Sequence, residues 1–219
     1  MRLLLLRHGQ THSNVIGALD TAVPGAPLNE LGLRQAAAVP RALVGQEIDA
    51  ISASTIVRTQ QTAEPLAADR GITVAIRDGL REISAGSLEM LSDHESQGVY
   101  TATAFAWAKG DLELRMPGGE SGHEFFQRYD AAIRDVLDSR AKVVVAVSHG
   151  AAIRTWVAAR CDNTDGGFAG THQLDNTGVA VLEGDRVHDW HLVEWQSTPL
   201  GGTGLADARA VDPTGEALE

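Results

Sequence analysis

The sequence predicts a three-layer α/β/α fold with a mainly parallel central sheet, and three observations predict it. Two apolar runs, Leu3 to Leu6 and the stretch "KVVVAVSHG" from Lys142 to Gly150, are continuous rather than alternating, as strands covered on both faces are. Strand-like and helix-like stretches follow one another along most of the chain. The last apolar segment, Gly178 to Trp195, reads as two strands joined by a tight Gly-Asp turn.

Taken in order, Leu3 to Leu6 forms the first strand and "IDAISAS" (Ile48 to Ser54) and "ITVAI" (Ile72 to Ile76) two shorter ones. Between the first two lies "NELGLRQAAAVPRALVG", a helix with Asn29 as N-cap and a stop near Gly45, which Pro40 should kink or shorten. "TIVRTQQTAEPLAADRG" is a similar helix with Pro65 inside and Gly71 at its end. Ser92 to Lys109 and Ser121 to Ser139 are helical as well, the second carrying Phe125, Tyr129, Ile133 and Val136 along one face. Residues 1–196 therefore read as one domain. Residues 197–219 are rich in Gly, Pro and Ala without a sustained period and read as an extended or mobile tail, or one that folds back as a lid or onto a partner subunit.

Composition narrows the function. The formal net charge of −11 argues against nucleic acid or an anionic membrane as partner, because like charge repels both. A small anionic substrate remains compatible if cations gather locally. The single cysteine, Cys161, forms no internal disulfide and no multi-cysteine zinc site, which fits a reducing, cytoplasmic setting. The apolar run in "MRLLLLRHG" is four leucines long, short of the roughly seven to fifteen of a signal-peptide core. No stretch approaches the roughly 20 apolar residues of a membrane span.

Both continuous strands end on histidine and glycine, His8-Gly9 and His149-Gly150. Ligands of open α/β sheets bind at the carboxyl ends of strands, so the two histidines are placed to share one pocket, with the glycines allowing close approach of backbone amides. His12, His94, His123, His172, His188 and His191 show no metal-ligand spacing. His188 and His191 read as surface or structural residues and Trp190 and Trp195 as packing. Asp175 and Asn176 read as supporting the site from behind.

"LLLLRHGQTHSN" resembles the RHG signature of the histidine phosphatase superfamily, the phosphoglycerate mutase-like family, with Asn14 at the asparagine of RHG-x-x-x-x-N. "APLNELGLRQA" and "SASTIVRTQQTA" are similar to two further segments of that family, the second placing Arg58, while "LRE" places Glu82, "PGGES" matches a recurrent loop at Gly118 to Ser121, and "VSHG" places His149. The resemblance implies a phosphoglycerate mutase-like fold, with residues 1–196 as the catalytic domain, and a histidine acid phosphatase-type phosphomonoesterase acting through a covalent phosphohistidine. It implies His8 as nucleophile and Glu82 as general acid and base. Arg7, Asn14, Arg58, His149 and Gly150 would hold the phosphate of a small phosphorylated substrate, with no metal and no cofactor. These assignments meet a physical need: a transferring phosphoryl group spreads charge over three oxygens, and arginine forks match them.

The chain departs from the family pattern at Gly86-Ser87-Leu88-Glu89-Met90, where an aromatic residue precedes the glutamate in relatives, which leaves the role of Glu89 and the shape of the substrate side open. Between Glu82 and "PGGES" the basic residues are only Lys109 and Arg115, without the Arg-Arg pair by which the resembling mutases hold a substrate carboxylate. That favours a phosphatase over a phosphoglycerate mutase, the alternative activity; a catalytically weak phosphate-binding regulatory protein is the alternative of another class. Contacts that choose the substrate are expected from Leu88 to Arg115 and from the loop "GALDTAVPGAP". Many relatives are dimers, so a homodimer is a further expectation.

Overall fold

The computed structural model describes residues 1–138, 141–185 and 189–217. Six strands, β1 (Arg2–Arg7), β2 (Ala50–Ala53), β3 (Val74–Ile76), β4 (Val143–Ser148), β5 (Val179–Gly184) and β6 (Trp190–Gln196), form one sheet in the order β3-β2-β4-β1-β5-β6. β3, β2, β4 and β1 run parallel, and β5 and β6 add an antiparallel hairpin beside β1.

The four leucines of β1 divide between two cores, because alternate side chains of a strand point to opposite faces. Leu3 and Leu5 join Tyr100, Phe125 and Trp156, whereas Leu4 and Leu6 join Val39, Ala63 and Leu66. Each fully buried leucine contributes roughly 1.5–3 kcal/mol. The first core is covered by α4 (His94–Ala108), α5 (Gly122–Asp138) and α6 (Gly150–Arg160), the second by α2 (Glu30–Ala42) and α3 (Val57–Arg70). These are the three layers. Two short helices, α1 (His12–Ile16) and α7 (Phe168–Thr171), complete the set.

Register carries the site. β1 and β4 pair in parallel with Leu6 opposite Val147 and Arg7 opposite Ser148, so both chains leave the sheet at one level and His8 and His149 emerge side by side.

Several local expectations need correction. The helices follow the expectation, since α3 contains Pro65 and ends at Gly71 in a left-handed cap, and α2 stops at Ala42, two residues after Pro40, whereas the hairpin and α6 differ. The final hairpin has no two-residue turn: Gly184 pairs with Trp190, so the connection takes in residues 185–189, and His188 lies outside the described residues. Helix α6 escapes sequence periodicity because nine of its eleven residues are buried, leaving no polar stripe to mark a face.

The segment after β6 is irregular but folds back on the domain. Leu200 is buried and its N–H donates to Thr177 O, Gln35 donates to Leu205 O, and Leu174 N–H donates to Gly215 O. Among the described residues no helix is long and apolar enough to cross a membrane.

Candidate active site

His8 follows β1 directly, and its protonation pattern is fixed by what surrounds it. Nδ1 lies 2.7 Å from Gly9 O; a carbonyl only accepts, so Nδ1 carries the proton and Nε2 keeps its lone pair. Arg58 Nε–H donates to that Nε2 at 3.1 Å. Burial, then the guanidinium groups of Arg58 and Arg7, hold the His8 pKa well below its ordinary 6.5, so the ring is neutral and nucleophilic at neutral pH. The backbone is pinned too, since Asn176 Nδ2 donates to His8 O at 3.1 Å.

His149, the N-cap of α6, lies with its ring centroid 5.1 Å from that of His8. Its Nε2 is 2.8 Å from Ser54 Oγ, and Nδ1 is buried without a protein partner. Burial first, then Arg58 and His8, lower its pKa well below 6.5. Arg58, on the first turn of α3, is held by Asp20, whose backbone O accepts from Nη2 at 2.7 Å and whose carboxylate lies 3.7 Å from Nη1.

Glu82 reaches the same place from the chain after β3. Oε1 accepts from Ile83 N and Ala152 N at 2.9 and 2.8 Å, and Oε2 from Ala151 N at 3.2 Å, so the carboxyl sits over the first turn of α6. Burial raises its pKa above 4.5, while those amides and Arg58 oppose the shift. Arg128 sets the path of this chain by donating to Gly79 O, Arg81 O and Glu82 O, each at 2.9 Å. Glu120, from the "PGGES" loop, pairs with Arg128 at 2.6 Å and accepts from Ser84 N.

Asn14 closes a capping box on α1: Oδ1 accepts from Thr11 N–H and Oγ1–H, both at 3.0 Å. That orientation leaves its Nδ2 as the group facing the cavity. Arg7 is placed differently from the expectation of a bare phosphate ligand. Nη1 donates to Leu174 O at 2.6 Å, and Nη2 binds Asp212 Oδ2 and Thr214 Oγ1 of the C-terminal segment. Its Nε remains buried and unpartnered.

The glycines serve backbone packing. Gly9 N–H is used by Thr62 Oγ1 at 2.9 Å, and a Cβ on Gly9 would meet Gly32 O at 2.7 Å, so that amide is not offered to a ligand. A Cβ on Gly150 would stand 2.5 Å from Thr214 O, while its N–H, at the first position of α6, has no intrahelical acceptor.

His8, Asn14, Arg58 and Glu82 line one small cavity, and behind it Arg7 Nε and His149 Nδ1 are buried without a hydrogen-bond partner. Asp20, Thr21, Asp212 and Thr214 line the same cavity, and no residue from Leu88 to Arg115 does. Glu89 instead accepts from Thr21 N and Ala22 N at 2.8 and 3.0 Å and holds the Asp20 loop. A larger hollow of about 640 Å³ lies at Met1, Arg2 and Lys142, at the opposite ends of β1 and β4. Among the described residues no group of three or more His, Cys, Asp or Glu side chains could hold a metal ion.

The remaining singled-out residues lie apart from this cavity. His123 pairs with Glu113 at 3.0 Å and His191 with Asp162 at 2.8 Å, both exposed. His172 stacks on Phe168, Trp195 packs edge-on against the same ring, and Trp190 packs on Trp156.

With this geometry, the match to a family model described as "histidine phosphatase superfamily (branch 1)", over residues 3–198, is decisive. The chain belongs to the histidine phosphatase superfamily. Among curated relatives of this superfamily member, a PE-PGRS family protein of Mycobacterium tuberculosis is 35% identical over 94% of this chain and 38% of its own length. The chain thus spans well under half of that relative. A protein of Yersinia pestis named probable phosphoglycerate mutase GpmB is 34% identical over 70% of this chain and 71% of its own. Among solved structures, mycobacterial glucosyl-3-phosphoglycerate phosphatase, in complex with VO3, superimposes with a TM-score of 0.75 at 27% identity, covering 90% of this chain and 99% of that one. Phosphoserine phosphatase from Entamoeba histolytica, in complex with 3-phosphoglyceric acid, gives 0.74 at 25% identity over 91% and 98%.

Sequence reasoning missed Ser54, Asp20, Arg128 and Asp212. Ser54 stands in the segment that places Arg58 and was readable there. Asp212 had no signal, because its contact joins residues 205 apart through an aperiodic tail.

Proposed function

We propose that this chain is a phosphatase that hydrolyses a small phosphomonoester through a phosphohistidine at His8. The observation that carries the reading is the protonation pattern of His8, with Nδ1–H bound to Gly9 O and an unprotonated Nε2 beside Arg58. Nε2 attacks phosphorus as the ester P–O bond breaks, and the leaving oxygen takes the proton of Glu82. Burial of Glu82 favours the protonated carboxyl this step requires. Arg7 Nε, the Arg58 guanidinium, Asn14 Nδ2 and the Gly150 amide then hold the three equatorial oxygens. His149 joins them as an imidazolium, because a dianion beside it raises its proton affinity. In the second half, water attacks phosphorus, the P–N bond breaks, Glu82 takes the water proton, and inorganic phosphate leaves.

The mutase reading shares the first half and replaces water by a substrate hydroxyl; the 34% identity to the GpmB protein favours keeping it. Both are tested with a panel of phosphomonoesters and, separately, 3-phosphoglycerate with its bisphosphate primer. Phosphate release that disappears in His8→Ala supports the phosphatase. Efficient isomerisation with little phosphate release would replace it by the mutase.

A further inference from the structure

We propose that the C-terminal segment forms the substrate-side wall of this site and that its Asp212 selects phosphomonoesters whose leaving group carries hydroxyls and no negative charge. The inference rests on the hydrolase reading above and adds the substrate class to it.

The wall is built into the site. Thr214 O accepts from the buried Arg154 Nη1 at 3.0 Å, and Thr214 Oγ1–H donates to Asp212 Oδ1 at 2.9 Å. The backbone approaches so closely that a Cβ on Gly215 would stand 2.1 Å from Arg7 Nη1. Asp212 and Thr214 therefore line the cavity around His8 together with Asp20, Ser13 and Thr21.

The charges of this wall decide what it accepts. Each cation at the phosphate comes with its own carboxylate, Arg7 with Asp212 and Arg58 with Asp20. The edge left over, Arg7 Nε, is needed by the phosphoryl oxygens. Arg154 stands behind the wall, with Nε on Ala169 O, Nη1 on Thr214 O and Nη2 buried without a hydrogen-bond partner, and neither it nor Arg209 lines the cavity. A second anion on the leaving group would therefore lie near Asp20 and Asp212 without a counter-ion. Substrate hydroxyls can donate to the Asp20 and Asp212 carboxylates on this wall, whereas the protons of Ser13, Thr21 and Thr214 are already given to Asp20, Glu89 and Asp212.

Glycerol 3-phosphate and 3-phosphoglycerate test this cleanly, since they differ in a hydroxymethyl group against a carboxylate. Phosphate release from the full chain is measured with each. Wild type should show kcat/KM at least about tenfold higher for glycerol 3-phosphate, and Asp212→Asn should narrow that ratio by about tenfold, as removal of a like charge a few ångströms away does. Asp212→Glu, which keeps the charge, should retain the ratio. Equal loss on both substrates in Asp212→Asn, with the ratio unchanged, would overturn the inference and reduce Asp212 to a holder of Arg7. A wild-type preference for 3-phosphoglycerate overturns it with no variant needed. Release from neither substrate overturns the hydrolase reading itself, a different failure from release without discrimination.

Discussion

Replacing Ser54 by alanine removes one buried hydroxyl with three partners: His149 Nε2 at 2.8 Å, Thr59 Oγ1 at 2.9 Å and the Ile56 N–H at 3.1 Å. Thr59 Oγ1 lies 2.8 Å from Ile56 O, which only accepts, so the Thr59 proton points there. The chain of protons then runs from His149 Nε2–H to Ser54, from Ser54 to Thr59, and from Thr59 to Ile56 O. Ser54→Ala strands a buried imidazole N–H and a buried backbone N–H, each costing about 1–3 kcal/mol. Partial relief by a switch of imidazole tautomer leaves a net loss of about 3 kcal/mol. For a chain of this length that lowers Tm by roughly 10 °C. It also frees the ring that is to meet the phosphate, so kcat/KM should fall by about tenfold or more while the thiol variant Ser54→Cys recovers part of it. Calorimetric melting and steady-state kinetics check both. A Tm within about 2 °C of wild type, or an unchanged kcat/KM, would refute the relay.

Two further outcomes follow from the titrating groups. His8 and His149 have folded-state pKa values below the ordinary 6.5, so the stability they contribute is present above 6.5 and lost as pH falls from there towards their folded values. The slope is about 1.4 kcal/mol per pH unit for each histidine. Glu82, with a raised pKa, acts in the opposite sense, contributing stability below 4.5 that is lost as pH rises through its folded value. Denaturant midpoints from pH 7 downwards should therefore drop steeply at first, and a flat profile would contradict the neutral, buried pair. Glu82→Gln should lower kcat on alkyl phosphates by about 10²–10⁴ and much less on formation of the phosphoenzyme from nitrophenyl phosphate, whose leaving group needs no proton; equal losses in single-turnover measurements would remove Glu82 as the acid.

The parts of this molecule that were legible in its sequence are those where one local pattern answers to one physical cause. β1 and β4 are continuous apolar runs because both faces are covered, and the histidine at each end marks where the sheet stops. Helix α5 shows its face because its other side meets water. Helix α6 was hidden by the opposite circumstance, since burial on nearly every side erases the period. The site divides the same way. His8, Arg58, Glu82 and His149 stand in recognisable local patterns; the first three line one cavity and the His149 ring lies beside that of His8. The wall they face does not: Asp20 and Asp212 come from aperiodic segments, and Asp212 meets Arg7 only once the whole chain between them is folded. The charge of Arg7 is visible in the sequence, but its partners Leu174, Asp212 and Thr214 are not.

The proposed phosphoryl acceptor is His8 Nε2. Mixing the protein with an excess of radiolabelled phosphomonoester, quenching in alkali, where phosphohistidine survives, and counting label on the separated chain tests it most directly. Label should approach one phosphate per chain early in turnover, map to His8 and be absent from His8→Ala. Steady phosphate release with no label on His8, or equal labelling of His8→Ala, would contradict it.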